Sequence, residues 1–190
     1  MQPNLIEHIK KYVELNDEQT QLVLANIKPI ALKKKSYLLE EGQICSSLYF
    51  VEKGCLRFFF INDKGTEQIT QFAIENWWIA DYMSFDTQSP SQFYIQAIEN
   101  TEVYAFDYHN QEKVFSQLPQ LERYFRLVLH RAYSAAQLRM KYLYDFTKEE
   151  SYQHFITRFP EFVQRIPQYM LASYLNLTPE YLSEIRKNTF

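Results

Sequence analysis

Residues 167–188 read PQYMLASYLNLTPEYLSEIRKN, and this stretch decides how the rest of the chain is interpreted. Its apolar residues follow a helical spacing on both sides of Asn176, which predicts two short helices joined by a tight turn. Pro167 begins the first helix. Thr178 and Pro179 begin the second, because Thr is a preferred N-cap and Pro suits the first helical position.

This pattern is typical of a helix-turn-helix, in which two helices cross steeply. Ala172 is small where the helices would touch, and Asn176 tolerates the left-handed backbone that such a turn needs. The predicted buried faces contain Leu171, Leu175, Leu182 and Ile185. The second helix would face the DNA major groove, with predicted DNA-binding residues Thr178, Pro179, Glu180, Tyr181, Ser183, Glu184, Arg186 and Lys187. The alternative interpretation is an ordinary helical hairpin.

The first half of the chain is strand-like. The only three glycines, Gly42, Gly54 and Gly65, lie within 24 residues, which indicates several tight turns. Aromatic and β-branched runs predict strands near 47–51, 55–61, 67–74, 93–99 and 102–108. Short strands at this spacing predict a compact barrel or roll, preceded by two helices over 3–14 and 17–27.

A long helix over 119–144 follows, because no Gly or Pro interrupts the sequence after Pro119. Its apolar residues recur in alternating steps of four and three, which is typical of a coiled-coil seam. The predicted dimer interface is Leu121, Phe125, Val128, Ala132 and Ala135, with Arg139 interrupting the pattern. The alternative is that this helix packs on its own roll.

A new helix begins after Asp145, because Thr147 and Glu150 have capping-box spacing. The sequence therefore predicts three regions. They are a strand-rich region with N-terminal helices over 1–118, a dimerisation helix over 119–145 and an all-helical DNA-binding region over 146–190.

Together these motifs resemble the Crp/Fnr family of bacterial transcription regulators. RIPQYMLASYLNLTPEYLSEIRKN resembles the family's helix-turn-helix, and SLYFVEKGCLRFFF with KGTEQITQF resembles its cyclic-nucleotide-binding roll. The resemblance implies an α+β fold with a jelly-roll-like antiparallel β-roll sensor over 1–118, a long dimer helix and a C-terminal helix-turn-helix. It also implies a homodimer that binds a pseudo-palindromic operator in double-stranded DNA.

The pocket region departs from the family pattern. Aligned on Pro90 and Ala97, Ile79 and Ala80 replace the family's Gly-Glu pair, and Ser91 replaces its phosphate-binding Arg. No Arg or Lys lies between Gly65 and Lys113, so cyclic AMP is not the expected effector. A pocket for another small molecule would contain Ile79, Ala80, Asp81, Tyr82, Ser84, Ser91, Gln92, Tyr133, Ser134 and Gln137. The alternative is that the aromatic run WWIADYMSF only fills the roll.

The remaining features indicate no further chemistry. The net charge is −3, and the four histidines lack ligand spacing, so no metal or other cofactor is predicted. Two cysteines, interpreted as buried thiols, suit a cytoplasmic protein, and no membrane segment is expected. No catalytic constellation is recognisable, and we predict a non-enzyme. The alternative function is a ligand-binding sensor that acts through protein partners and has lost DNA binding.

Overall fold

A computed structural model describes residues 3–189, with side chains through Lys187. Residues 1, 2 and 190, at the outer ends of the predicted regions, lie outside the described residues. The fold is α+β, as predicted, with two antiparallel sheets followed by a long helix and shorter C-terminal helices.

The elements of the described chain, in order, are α1 (Asn4–Lys10), α2 (Asp17–Ala25), β1 (Ile27–Leu32), β2 (Tyr37–Leu39), β3 (Ser47–Lys53), β4 (Leu56–Ile61), β5 (Glu67–Ala73), β6 (Trp78–Ile79), α3 (Tyr82–Thr87), β7 (Tyr94–Ala97), β8 (Thr101–Asp107), α4 (Tyr108–Gln117), α5 (Gln120–Asp145), α6 (Lys148–Arg158), α7 (Pro160–Arg165), α8 (Gln168–Tyr174) and α9 (Pro179–Thr189).

Each sheet has four strands, in the orders β1-β8-β3-β6 and β2-β7-β4-β5. The five predicted strands are confirmed within a few residues. The sequence missed β1, β2 and β6 for local reasons. Pro29 interrupts the apolar pattern of β1, while β2 and β6 have only three and two residues. Such short strands are fixed by pairing with neighbours rather than by their own periodicity.

The chain forms two compact units, which divide within α5 rather than at its ends. One unit contains the chain up to Phe60 together with Gln71–His130. The other contains Ile61–Thr70, which is the tip of the β4–β5 hairpin, and the chain from Arg131 onward. The boundaries at 118 and 145 stay predictions.

Tyr124 organises the core of the first unit. Its side chain is fully buried, and its hydroxyl accepts a 2.8 Å hydrogen bond from Trp78 Nε1. The same hydroxyl lies 2.8 Å from His8 Nδ1. Burial raises the pKa of Tyr124 far above its usual range, so this hydroxyl stays neutral. One side chain therefore joins α1, β6 and the start of α5.

Gly54 occupies the tight turn between β3 and β4. Its φ of 103° is in the left-handed region, and a Cβ there would lie 2.5 Å from Thr101 Oγ1 and 2.7 Å from Thr101 Cα. Its N–H donates to Glu75 Oε1 at 2.7 Å. Only glycine fits both the backbone conformation and the space.

Gly54→Ala should therefore destabilise the protein by about 2 kcal/mol beyond a matched control, because it adds overpacking to backbone strain. The control is Gly42→Ala, where φ is 85° but a Cβ would meet no atom within 4 Å. Urea unfolding of both variants measures the difference. Equal losses would show that the contact with Thr101 costs nothing.

Candidate functional site

The turn between α8 and α9 has the geometry that a helix-turn-helix requires. Asn176 has a φ of 56°, and the N–H of Leu177 donates to the carbonyl of Ala172 at 2.8 Å. Ala172 is completely buried, as its predicted place at the helix crossing requires. Leu182 is 1% exposed and forms part of the buried face of α9.

The buried faces differ from the prediction at one position. Leu171 and Ile185 are buried as predicted, but Leu175 is only half-buried. Leu177 takes its place in the interior, at 9% exposure. The left-handed residue Asn176 reverses the chain direction, so the helical period cannot be extended through the turn.

The opposite face of α9 is exposed. The predicted DNA-binding residues Thr178, Pro179, Glu180, Ser183, Glu184, Arg186 and Lys187 are all exposed, and Tyr181 is half-buried. Thr178 caps the helix, because its Oγ1 accepts from the N–H of Tyr181 at 3.2 Å. The structure thus brings these residues together on one accessible helix.

Tyr181 is held by the first turn of α6. Its hydroxyl donates a short hydrogen bond to Glu149 Oε1, and the Lys148 ammonium lies 4.9 Å from its ring centroid. The hydrogen bond from Tyr181 lowers the pKa of Glu149, and the same bond raises the pKa of Tyr181. Sequence analysis missed Lys148 and Glu149, since the capping box locates the start of α6 but not what α6 meets.

The far end of α8 is held by the hairpin tip, within the same unit. Ser173 Oγ accepts from the N–H of Ile69 at 3.0 Å and donates to the carbonyl of Glu67 at 2.8 Å. Gln68 Nε2 donates to the carbonyl of Ser173. These bonds fix the last turn of α8, and no sequence pattern pointed to them.

Arg139 completes this attachment. Its guanidinium donates to the carbonyls of Thr70 and Tyr174, the latter at 3.0 Å, and lies 3.9 Å from the Tyr174 ring centroid. Burial lowers the pKa of Arg139 from its high ordinary value. The residue that interrupted the predicted seam therefore has a partner inside its own unit.

The predicted dimer seam needs correction. Leu121 is 2% exposed and belongs to the core of the first unit, while Phe125 and Val128 pack against that core. Ala132 and Ala135 are exposed. The apolar period at the start of α5 therefore marks burial in the chain's own roll, which was the alternative interpretation.

A different face of α5 is apolar and exposed. Tyr133, Ala136, Met140 and Leu143 recur in steps of three, four and three, and we call them the α5 stripe. Their large members are 55–67% exposed. This stripe keeps the coiled-coil period of the prediction but is displaced by one residue, which is a rotation of about 100°.

Residues 79–91, which we call the cassette, contain predicted pocket residues that hydrogen-bond to one another. Asp81 Oδ1 accepts from the N–H groups of Met83 and Ser84 at 3.1 and 3.2 Å and so caps α3. Asp81 Oδ2 accepts from Ser91 Oγ at 2.7 Å. Ser84 Oγ accepts from the N–H of Cys45 at 2.9 Å. All four of Ile79, Ala80, Asp81 and Ser91 are buried.

The other predicted pocket residues are exposed. Gln92 is exposed, and Tyr133, Ser134 and Gln137 are exposed residues of α5 in the second unit. Tyr82 is 40% exposed and lines an open groove of about 470 Å³ in the first unit. Met83, Phe115, Phe125 and Leu129 give this groove apolar walls.

Cys45 and Cys55 are buried free thiols, as interpreted from the sequence, and burial raises the pKa of Cys45.

Within residues 3–189, no helix is long and apolar enough to cross a membrane. Among the same residues, no group of three or more His, Cys, Asp or Glu side chains is arranged to hold a metal ion.

Comparisons with known proteins agree with this architecture. Residues 29–117 match the cyclic nucleotide-binding domain family. The transcriptional activator protein Anr of Pseudomonas protegens is 32% identical over 125 residues, which cover 66% of this chain and 50% of Anr. The chain is similar to regulators of the Crp/Fnr type. It spans about half the length of Anr.

Solved structures share the fold. FixK2 from Bradyrhizobium japonicum superposes with a TM-score of 0.73 at 18% identity, covering 85% of this chain and 83% of FixK2. The c-di-GMP responsive global regulator CLP of Xanthomonas campestris gives a TM-score of 0.74 at 14% identity, covering 92% of this chain and 91% of CLP.

Cyclic AMP should not bind with micromolar affinity. A phosphate placed at the cassette would meet the buried Asp81 carboxylate, and Ser91 stands where the family pattern has Arg. An unpaired buried charge costs several kcal/mol. Isothermal titration calorimetry should give no saturable heat up to about 1 mM ligand, near a binding free energy of −4 kcal/mol. A micromolar dissociation constant would refute this expectation.

Proposed function

We propose that this protein is a homodimeric, DNA-binding transcription regulator of the Crp/Fnr type. The observation that carries the proposal is the recognition helix α9, which has a fully buried inner face and an outer face of exposed polar residues. Such a helix can enter a major groove without rearranging its own domain. The relative Anr, a transcriptional activator, supports the same function.

The α5 stripe supports a parallel pairing of two chains. Apolar residues at alternating steps of three and four form the seam of a two-stranded coiled coil. A two-fold interface places the same residue of both chains at the axis, so Met140 and Leu143 would meet their own copies. Pairing would also remove several large apolar side chains from water, and burying this apolar surface is favourable.

Charge makes dimerisation necessary for tight binding. The region 146–190 contains five cations and five anions, so one copy has no net attraction for phosphate. Contacts with the phosphate backbone provide most non-specific DNA affinity. Two copies joined through α5 would bind two half-sites at once, and the second contact then becomes intramolecular.

We place a candidate effector site in the groove lined by Tyr82 and Met83 rather than at the buried cassette. The groove has apolar walls and two polar residues, Asp86 and Gln111. That composition suits a small, largely apolar molecule oriented by a few polar contacts. A ligand there would touch Phe125 and Leu129 and would therefore contact the helix that continues into the α5 stripe.

The neutrality of the helical region also favours a second candidate function, a sensor that acts through a protein partner.

The DNA-binding regulator and this sensor are distinguished by selecting bound duplexes from a pool randomised over about 20 base pairs, which is two helical turns. A regulator should enrich a pseudo-palindrome whose half-sites are one turn apart, about 34–36 Å. Recovery of an unenriched pool at low salt would favour the second candidate.

Met140→Glu should convert dimers into monomers, because like charges would meet at the two-fold axis. Sedimentation equilibrium at micromolar protein measures the change in mass. Gln137→Glu is the matched control, since it adds the same charge at an exposed α5 position outside the stripe. A monomeric wild type, or equal dimerisation of both variants, would contradict the proposed interface.

Glu180→Ala should reduce discrimination at one base pair without weakening non-specific binding. The Glu180 carboxylate can accept from a cytosine amino group, and its loss also removes repulsion from phosphate. Discrimination should fall by about 1–3 kcal/mol in competition gel shifts. Lys187→Gln is the contrasting variant and should weaken all sequences and flatten the salt dependence. Equal weakening of all sequences by Glu180→Ala would mean that Glu180 reads no base.

A further inference from the structure

Tyr181 is the one predicted DNA-contacting residue of α9 whose side chain is bonded to another helix among those described. It lies in the first turn of α9, where groove contacts concentrate. Its backbone N–H is capped by Thr178, while its hydroxyl donates to Glu149 of α6. The residue is thus fixed at both ends rather than free to choose a rotamer.

The acceptor is itself held in place. Thr147 and Glu150 form a reciprocal capping box, with Glu150 N–H donating to Thr147 Oγ1 at 3.2 Å and Thr147 N–H donating to Glu150 Oε2 at 2.8 Å. Glu149 therefore lies in the first turn of a fixed helix, where the helix dipole favours a carboxylate. Lys148, beside it, lies 4.9 Å from the Tyr181 ring centroid.

The direction of the hydrogen bond follows from the two ionisation states. The bond from Tyr181 lowers the pKa of Glu149, which keeps the carboxylate ionised at neutral pH. The same bond raises the pKa of Tyr181, which keeps the phenol protonated. An ionised carboxylate only accepts, so the phenolic proton is committed to Glu149.

A hydroxyl whose proton is committed can offer only its lone pairs to another group. In the major groove, adenine and cytosine present amino donors, whereas thymine and guanine present carbonyl acceptors in the corresponding region. A free tyrosine hydroxyl could pair with either kind of base. Bonded to Glu149, it can accept from an amino group and cannot donate to a carbonyl.

We propose that Glu149 is a specificity-determining residue that acts through Tyr181. It makes the Tyr181 hydroxyl an obligatory acceptor, so that the recognition helix selects an amino-bearing base, adenine or cytosine, at the contacted position. The inference rests on the proposed DNA-binding function and deepens it. Glu149 itself need not touch DNA, and it is a positioning residue.

The test uses the full-length protein and the randomised duplex pool, followed by competition binding on single-base variants of the selected site. Wild type should prefer adenine or cytosine at one position per half-site. Glu149→Gln keeps the size of the side chain, but its amide can donate as well as accept. It should reduce that preference roughly threefold to tenfold, the range of one hydrogen bond.

Two further variants separate positioning from charge. Glu161→Gln removes one negative charge from α7 in the same helical region and should leave the base preference unchanged. Tyr181→Phe should abolish the preference, and adding Glu149→Gln to it should change nothing more, because both act on one interaction. Circular dichroism should show the same helix content in all variants.

The outcomes separate this inference from the proposed function. A wild-type protein that binds DNA with a base preference unchanged by Glu149→Gln overturns the inference alone. Equal effects of Glu149→Gln and Glu161→Gln also overturn it, since Glu149 would then act only by its charge. A wild-type protein that binds no duplex overturns the proposed function together with the inference.

Discussion

The close crossing of α8 and α9 at Ala172 is the constraint on which the functional unit depends. Ala172 is completely buried, and its carbonyl accepts from the N–H of Leu177 as the turn closes. The left-handed backbone conformation of Asn176 then sets the direction of α9 relative to α8. If the helices stood farther apart, Leu182 and Ile185 would lose their burial and the outer face of α9 would no longer be defined.

Several charged groups in the second unit serve this arrangement rather than a ligand. Arg139 is a half-buried cation, and removing such a charge from water is tolerated only with hydrogen-bond partners. It donates to the carbonyl of Tyr174, at the end of α8, where helix carbonyls lack intrahelical donors. At the start of α9, the Glu149 carboxylate likewise accepts a hydrogen bond from the Tyr181 hydroxyl. Arg139 and Glu149 thus each have a defined hydrogen-bond partner in the helix-turn-helix.

In the first unit, the buried polar residues of the cassette hydrogen-bond to one another. Asp81 caps α3 and accepts from Ser91, so both polar groups are satisfied although both are buried. Three residues before Asp81, Trp78 donates to the buried hydroxyl of Tyr124. The cassette is thereby tied to the start of α5 by a short chain of contacts within the first unit.

The sequence by itself determined the succession of strand-rich region, long helix and helix-turn-helix, the turn at Asn176, the caps at Thr147 and Thr178 and the exposed face of α9. These features depend on local backbone preferences and on a helical period within one element. It also revealed the loss of cationic residues between Gly65 and Lys113.

Only the tertiary structure decided which apolar face of α5 is covered. Both faces have the same seven-residue period, but Leu121 is buried in the core of its unit, whereas Tyr133 is exposed. Likewise, the partners of Arg139, Ser173 and Tyr181 lie 32 to 106 residues away along the chain. The spacing of apolar residues predicts which face of a helix is buried, but it does not predict which element packs against that face. Contacts between residues so far apart along the chain are fixed by the packing of the whole unit.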